Sequence, residues 1–256
     1  MAKPSTDRKK KSAAPPKSKP ARPRWFRIVW LSLVVIALGL LVPVLEVGCV
    51  KVMNPPVTTL MLVRQAEAKL GGDFKGGMRY EWRAWDQLPE IFLRCVWVSE
   101  DGRFFRHHGF DWIEMQAALA RAQRTGGDPR GSSTITMQCA RSTFLWTGRS
   151  YLRKGLEAYY TLLMEAMLSK RRIFELYANV IEMGDGVYGV EAASRAHFGI
   201  PSSSLNTAQS ALLAAMLPNP RRWNPREPSR RLRWRQLHIM RELEREPPVW
   251  PVGLRK

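Results

Sequence analysis

Cysteine is scarce in this sequence. Its 256 residues hold Cys49, Cys95 and Cys139, an odd number with no C-x-x-C spacing, which suggests neither a disulfide framework nor a cysteine zinc site. Histidine is as sparse, with four in the chain, of which two are the adjacent His107 and His108. No second histidine cluster follows, so a protein-held transition-metal site on Glu100, Asp101 and Asp111 is not expected, and structural hydrogen bonding by at least one histidine is. Acidic residues are outnumbered, 22 against 41 Lys and Arg, a formal net charge of +19. Such a surface seeks anions, but nucleic acid, anionic lipid and phosphorylated substrates fit that description equally. Strand-type alternation and internal repeats are also missing, which turns the expectation toward helices.

What is present begins with a head of unusual composition. Residues 1 to 27 carry ten Lys or Arg against Asp7 alone, a charge of +9 that leaves +10 for the rest, and they are rich in Pro, Ser and Ala. That stretch cannot bury enough apolar surface to order itself, and a disordered basic tail is expected. Residues 28–45, "IVWLSLVVIALGLLVPVL", then run without a charge. As a helix they span about 27 Å, close to the thickness of a bilayer's hydrocarbon core. A buried core helix would carry a polar face. A cleaved signal would be followed by a small-x-small pattern that "EVGCVKV" does not offer, and Glu46 and Val47 argue against lipidation at Cys49. An uncleaved transmembrane helix is the reading, and the flanking positive charge places the tail in the cytoplasm and residues 46–245 outside it as one domain. Residues 246–256 read as a short C-terminal tail.

Beyond the anchor, helix follows helix. "NPPVTTLMLVRQAEAKL" opens on a proline turn, "LPEIFLRCVWV" reads as a short apolar helix, and 111–124 form a helix with Trp112, Met115 and Leu119 on one face. "TITMQCARSTFL", the long run from Ser150 to Met183, "GVEAASRAHF" and "SLNTAQSALLAAML" are each amphipathic at helical spacing, with Ser or Asn residues as caps.

Three polar stretches interrupt this pattern. In "SEDGRFFRHHGFDW", Val96, Trp97, Val98, Phe104 and Phe105 would desolvate Glu100 and raise its pKa, while Arg103 and Arg106 would oppose that. A carboxylate poised in this way suits general acid or base work. Alone, the stretch reads more readily as a polar turn in which Asp101 caps and Glu100 pairs with an arginine, since acidic pairs beside arginine are common in loops. In "GSSTITMQCAR", Ser133 and Thr134 follow a glycine loop and cap a helix; most such caps are merely structural, but the free N–H groups there also suit an anion, and Thr134, Gln138 and Arg141 fall on one face. In "RKGLEAYYTLLMEAMLSKRR", Leu152, Leu156, Tyr159 or Tyr160, Leu163 and Met167 form an apolar stripe beside Arg153, Lys154 and Glu157. Arg153 and Glu157 are either a surface ion pair or part of a cation set for a phosphate leaving group.

Taken together, the three stretches resemble a family. "EDGRFFRHHG" is similar to E-D-x-x-F-x-x-H-x-G, "GSSTITMQ" to G-x-S-T-I-T-Q-Q and "RKGLE" to R-K-x-x-E, signatures of the peptidoglycan glycosyltransferases of glycosyltransferase family 51. "KRRIFELYANVIEMGDGVYGVEAASRAHF" and "LLAAMLPNPRRWNP" resemble its later motifs, so the likeness runs from about residue 55 to 225. The absence of S-x-x-K and K-T-G signatures aligns it with members that lack a penicillin-binding transpeptidase domain.

The resemblance implies a mainly α, lysozyme-like glycosyltransferase domain behind one transmembrane helix. It also implies polymerisation of lipid II at a bacterial inner membrane in cell wall biosynthesis. Glu100 takes the place of the general base and Glu157 that of the second essential glutamate, acting through a metal or hydrogen bonds. Asp101, Phe104, His107, Ser133, Thr134, Gln138, Arg141, Arg153, Lys154 and Asn179 fall at substrate-binding positions. A divalent cation, Mg or Mn, is expected with the substrate's pyrophosphate, and the partners implied are lipid II, the lipid-linked glycan, the membrane and other cell-wall synthesis or division proteins, with no nucleic acid. Departures are Met137 for the usual first glutamine, Ala178 for leucine and His197 for tyrosine.

Overall fold

A computed structural model describes residues 24–71, 77–127, 131–148, 150–245 and 249–251. The basic tail up to residue 23 and most of the C-terminal tail lie outside the described residues. The chain divides into two compact units, Met1–Leu41 and Val42–Lys256.

The first unit contains the start of helix α1 (Arg24–Val52). Its side chains are exposed all round, Ile28, Trp30, Leu33, Val35 and Leu38 among them, and its length and composition are compatible with a single-pass membrane anchor. At 1.5 Å per residue the whole helix is about 44 Å long, more than the roughly 30 Å of a hydrocarbon core. It outruns the 28–45 expected, because "EVGCVKV" continues it without a break. Val47 and Val50, on its last turns, are buried in the core of the second unit. The boundary between units at Leu41 thus lies before position 46, where the sequence reading put it.

The second unit is built of helices, as expected: α2 (Thr59–Lys69), α3 (Glu90–Glu100), α4 (Trp112–Thr125), α5 (Ile135–Phe144), α6 (Tyr151–Met167), α7 (Lys170–Val180), α8 (Gly189–Phe198), α9 (Thr207–Met216) and α10 (Arg230–Arg245). Among the described residues, Thr58, Asp111, Thr134, Ser150, Ser169 and Asn206 each cap a helix with a side chain that accepts from the N–H three residues on. Such a cap is worth about 1 kcal/mol. Ser169 also corrects the single run expected from Ser150 to Met183. Its hydroxyl accepts from Arg172 N–H at 3.2 Å and starts α7 afresh after extended Leu168.

Helix α5 is the centre, buried at every position from Ile135 to Ala140 and packed between α6 and α7. Helix α3 packs on α9 and α10 through Phe92, Leu93, Cys95 and Val96, all at 0% exposure. Two expected stripes are turned. On α6 the buried face is Arg153, Glu157, Tyr160, Thr161 and Met164, and Leu152 is 70% exposed. On α4 the inner face is Ala118 and Ala122, while Trp112, Ile113 and Leu119 face outward.

Strands do occur, contrary to the sequence reading. β1 (Arg79–Tyr80), β2 (Glu182–Gly184) and β3 (Val187–Tyr188) form a sheet in the order β1-β3-β2, with β1 parallel and β2 antiparallel to β3. Two or three residues are too few to show alternation. Gly189 follows β3 at φ +76°, and a Cβ there would lie 2.3 Å from the Asn179 carbonyl oxygen, so only glycine fits.

Candidate active site

Glu100 is the last residue of α3, and the apolar packing of that helix fixes where its carboxylate emerges. The side chain is 11% exposed. Gln138, on α5, donates from Nε2 to Glu100 Oε2 at 3.0 Å, and Gln138 Oε1 in turn accepts from the Tyr177 hydroxyl of α7 at 3.1 Å. The ionised carboxylate can only accept, so it fixes which way round the amide points, and the Tyr177 hydroxyl donates to the amide oxygen left facing it. Burial pushes Glu100 above the usual carboxylate range. Gln138, Arg235 and Arg141 pull it back down, and neighbouring Asp101 pushes it up.

The cations near Glu100 are not those expected from the sequence. Arg103 pairs with Asp111, Nε to Oδ2 at 3.0 Å, and Arg106 is exposed. Instead Arg235 of α10 brings Nη2 to 3.8 Å from Glu100 Oε1, and Arg141 of α5 acts on it through its charge.

Behind Glu100 the two motifs are sewn together. Buried Asp101 accepts from His107 Nε2 at 2.9 and 3.1 Å and from the Ile135 N–H at 3.0 Å. Thr134 donates to the Gly109 carbonyl at 2.7 Å while accepting from Met137 N–H at 3.2 Å. Phe104 is fully buried, with Lys170 Nζ 4.3 Å above its ring centre. Lys170 is drawn down from the ordinary amine value by burial and held up by Glu165, 2.8 Å away, which also takes the Thr136 hydroxyl at 2.5 Å. Phe104, Asp101 and His107 were expected to meet substrate. All three are buried and hold the loop, and Asp101 also lines the cleft beside Glu100. That cleft, of about 290 Å³, is walled by Ser99, Glu100, Asp101, Asp111, Ser133 and Thr134 among others.

Glu157 forms a second cluster on α6, the helix packed on α5. It is 2% exposed, with Arg153 Nη1 at 2.8 Å on one oxygen and Lys154 Nζ at 2.5 Å on the other. Arg153 is buried with it, whereas the Lys154 side chain is 49% exposed and so has a free approach to an anion. Asn179 does not join either cluster. Its amide accepts from Arg83 N–H at 2.7 Å and donates to the carbonyls of Arg83 and Glu175, which ties β1's successor loop to α7.

Neither acidic group fits a resident metal ion. Both Glu157 oxygens face cations already. Asp101, His107 and Asp111 lie close enough together to share an ion, but Asp101 is taken by His107 and Ile135 N–H, and Asp111 by Arg103 and Glu114 N–H. Among the described residues, neither of these two groups offers a carboxylate oxygen that is not already engaged, whereas a hard cation draws on such oxygens.

Sequence reasoning missed Tyr177, Arg235 and Glu165. Tyr177 sits in "ELYAN" at a helical core position, and Arg235 is one of several arginines on a basic helix, so nothing local singles them out.

A buried, oriented carboxylate at the mouth of a polar cleft is equipment for general acid or base work. Residues 69–244 match the family model described as Transglycosylase, and the chain belongs to that family of glycosyltransferases. A protein of Stutzerimonas stutzeri named "Biosynthetic peptidoglycan transglycosylase" is 42% identical over 87% of this chain and 93% of its own length. Relatives of the same name come from Pseudomonas aeruginosa, 42% identical over 82% of this chain and 87% of its own length, and Xanthomonas euvesicatoria, 41% identical over 91% of each chain. The family match reaches α10, past the 225 at which the motifs end, and so takes in Arg235.

Proposed function

We propose that the chain is a peptidoglycan glycosyltransferase that joins lipid II, a disaccharide-peptide carried on polyprenyl pyrophosphate, into glycan strands. Glu100 removes the proton from the acceptor's sugar 4-hydroxyl. The oxygen attacks the anomeric carbon at the lipid-linked end of the growing strand with inversion, a new glycosidic bond forms, and the bond to lipid pyrophosphate breaks. Lys154, Arg153 and Arg141 meet the charge that develops on the leaving pyrophosphate. Glu157 holds Arg153 and Lys154 in place, 2.8 and 2.5 Å away. Ser133 and Thr134, at the start of α5, and Gln138 line the acceptor side. A divalent cation belongs to the substrate's pyrophosphate in this reading, since Glu157 has no free oxygen to offer it. Transpeptidation has no counterpart in the residues named.

The single observation that carries the reading is Glu100, pushed up by burial yet held by Gln138 at the edge of the cleft. A raised carboxylate is a better base than an ordinary one once it is ionised. The apolar helix α1 supports a single-pass anchor in the bacterial cytoplasmic membrane, with the basic end inside and the second unit outside. Exposed Trp112, Ile113 and Leu119 on α4 suit a shallow contact with the same bilayer, where a lipid-linked substrate is found. The partners in this reading are the membrane, the lipid-linked glycan and other cell-wall synthesis proteins.

Purified protein in detergent with a divalent cation is expected to turn lipid II into long glycan. Shortening of existing glycan would favour a lysozyme-like hydrolase, and no reaction where a relative works would favour a non-catalytic membrane scaffold.

A further inference from the structure

Helix α10 brings an aromatic surface to the edge of the Glu100 cleft. A second cavity, about 260 Å³, lies between the end of α3 and α10 and is lined by Ser99, Trp234, Arg235, His238 and Glu242 among others. Val98 and Ser99 wall both cavities, so the second adjoins the first directly. Trp234 is 64% exposed, and its ring lies flat against the His238 imidazole one helical turn on, 5.6 Å between centres and 6° between planes. An exposed indole fixed in a stack is a preordered flat face. Arg235 beside it is also held, donating from Nε to the Ala215 carbonyl at 3.0 Å, with its guanidinium 5.9 Å from the Trp223 ring centre.

A flat aromatic face flanked by a hydroxyl, an imidazole, a carboxylate and a guanidinium is chemistry for a pyranose. The sugar's C–H face covers the indole while its hydroxyls meet polar groups at the rim. We propose that Trp234, His238, Glu242 and Ser99 form a sugar subsite for the growing glycan strand, beyond the disaccharides that react. This rests on the polymerase reading above. The acceptor is one disaccharide with Glu100 at its 4-hydroxyl and its pyrophosphate at the other end, so it has no further sugars to place. The strand has many, and a site adjoining the reaction cleft keeps hold of it between additions.

The test uses the full chain in detergent, with Trp234→Ala and Trp234→Phe beside wild type. Trp234 is on the surface, so neither change removes core packing. Trp234→Ala is expected to leave the coupling of the first two lipid II molecules within about twofold of wild type while strands come out several times shorter, and Trp234→Phe restores most of the length. Saturation-transfer NMR with a soluble, uncrosslinked tetrasaccharide of the same repeat gives a readout free of catalysis. Its contact with the protein is expected to weaken about tenfold in Trp234→Ala. Unchanged strand length together with an unchanged NMR signal overturns the subsite. So does a loss confined to binding of anionic phospholipid vesicles, which would make Trp234 a membrane contact. Should wild type fail to polymerise lipid II while the tetrasaccharide signal still depends on Trp234, the polymerase reading falls and the sugar site stands.

Discussion

Glu100 shows how a side chain acquires surroundings that its neighbours in sequence do not give it. Its own stretch supplies the burial, but the groups that tune it come from three other helices: Gln138 on α5, Tyr177 on α7 and Arg235 on α10. Position 100 was therefore legible as a carboxylate in an apolar setting, and its partners, 38 or more positions away, were not. The direction of the shift sets two expectations. Activity needs the ionised form, so the acidic limb of kcat/KM should lie above the ordinary glutamate value of 4.5, and Gln138→Ala or Arg235→Ala, each removing a group that lowers Glu100, should move the limb further up in a pH-rate profile. Stability runs the other way. A carboxyl whose pKa is raised on folding costs stability as pH climbs from its unfolded value through its folded one, so Glu100→Gln should melt higher than wild type at pH 7 and level with it below about pH 4 in a thermal scan.

Among the elements, α6 gives the sharpest contrast. Its polar residues were visible from sequence, its orientation was not, because leucines at 152, 156 and 163 outweigh Arg153 and Glu157 in any count of apolar periodicity. The helix buries the ion pair instead, which α5 can cover and a lone amphipathic helix could not. Breaking a buried pair leaves an uncompensated charge, so Arg153→Met should cost about 3 kcal/mol in a denaturant titration. Lys154 is half exposed and water screens it. Lys154→Ala should change stability by less than about 1 kcal/mol while sharply lowering kcat on lipid II, a separation that no purely structural lysine would give. The loop element before α4 has its own requirement. Gly109 sits at φ +87°, and a Cβ there would come 2.8 Å from Thr161 Cγ2, so Gly109→Ala should unseat the Thr134 bond and lower the melting temperature by several degrees. The three short strands escaped notice for the opposite reason: their pairing is a tertiary fact, stated by Arg79 meeting Val187 more than a hundred positions away.

As a whole, the molecule couples an apolar helix to a helical domain with an outward aromatic patch. The apolar helix was legible in the sequence as eighteen uncharged residues, but its end was not: α1 runs on to Val52 and lends Val47 and Val50 to the core of the second unit. A chain starting at residue 42 keeps those contacts. It should melt at the full chain's temperature, and flotation with vesicles should show weaker membrane retention that drops again with Trp112→Ser and Ile113→Ser. The central claim is that Glu100 is the base that lets one sugar attack another. The most direct measurement is the rate of glycan formation from lipid II by wild type and Glu100→Gln under the same conditions, with melting curves alongside. The account predicts a loss of about 100- to 10,000-fold in a variant that is folded and no less stable than wild type. A folded Glu100→Gln protein that polymerises at the wild-type rate would contradict it.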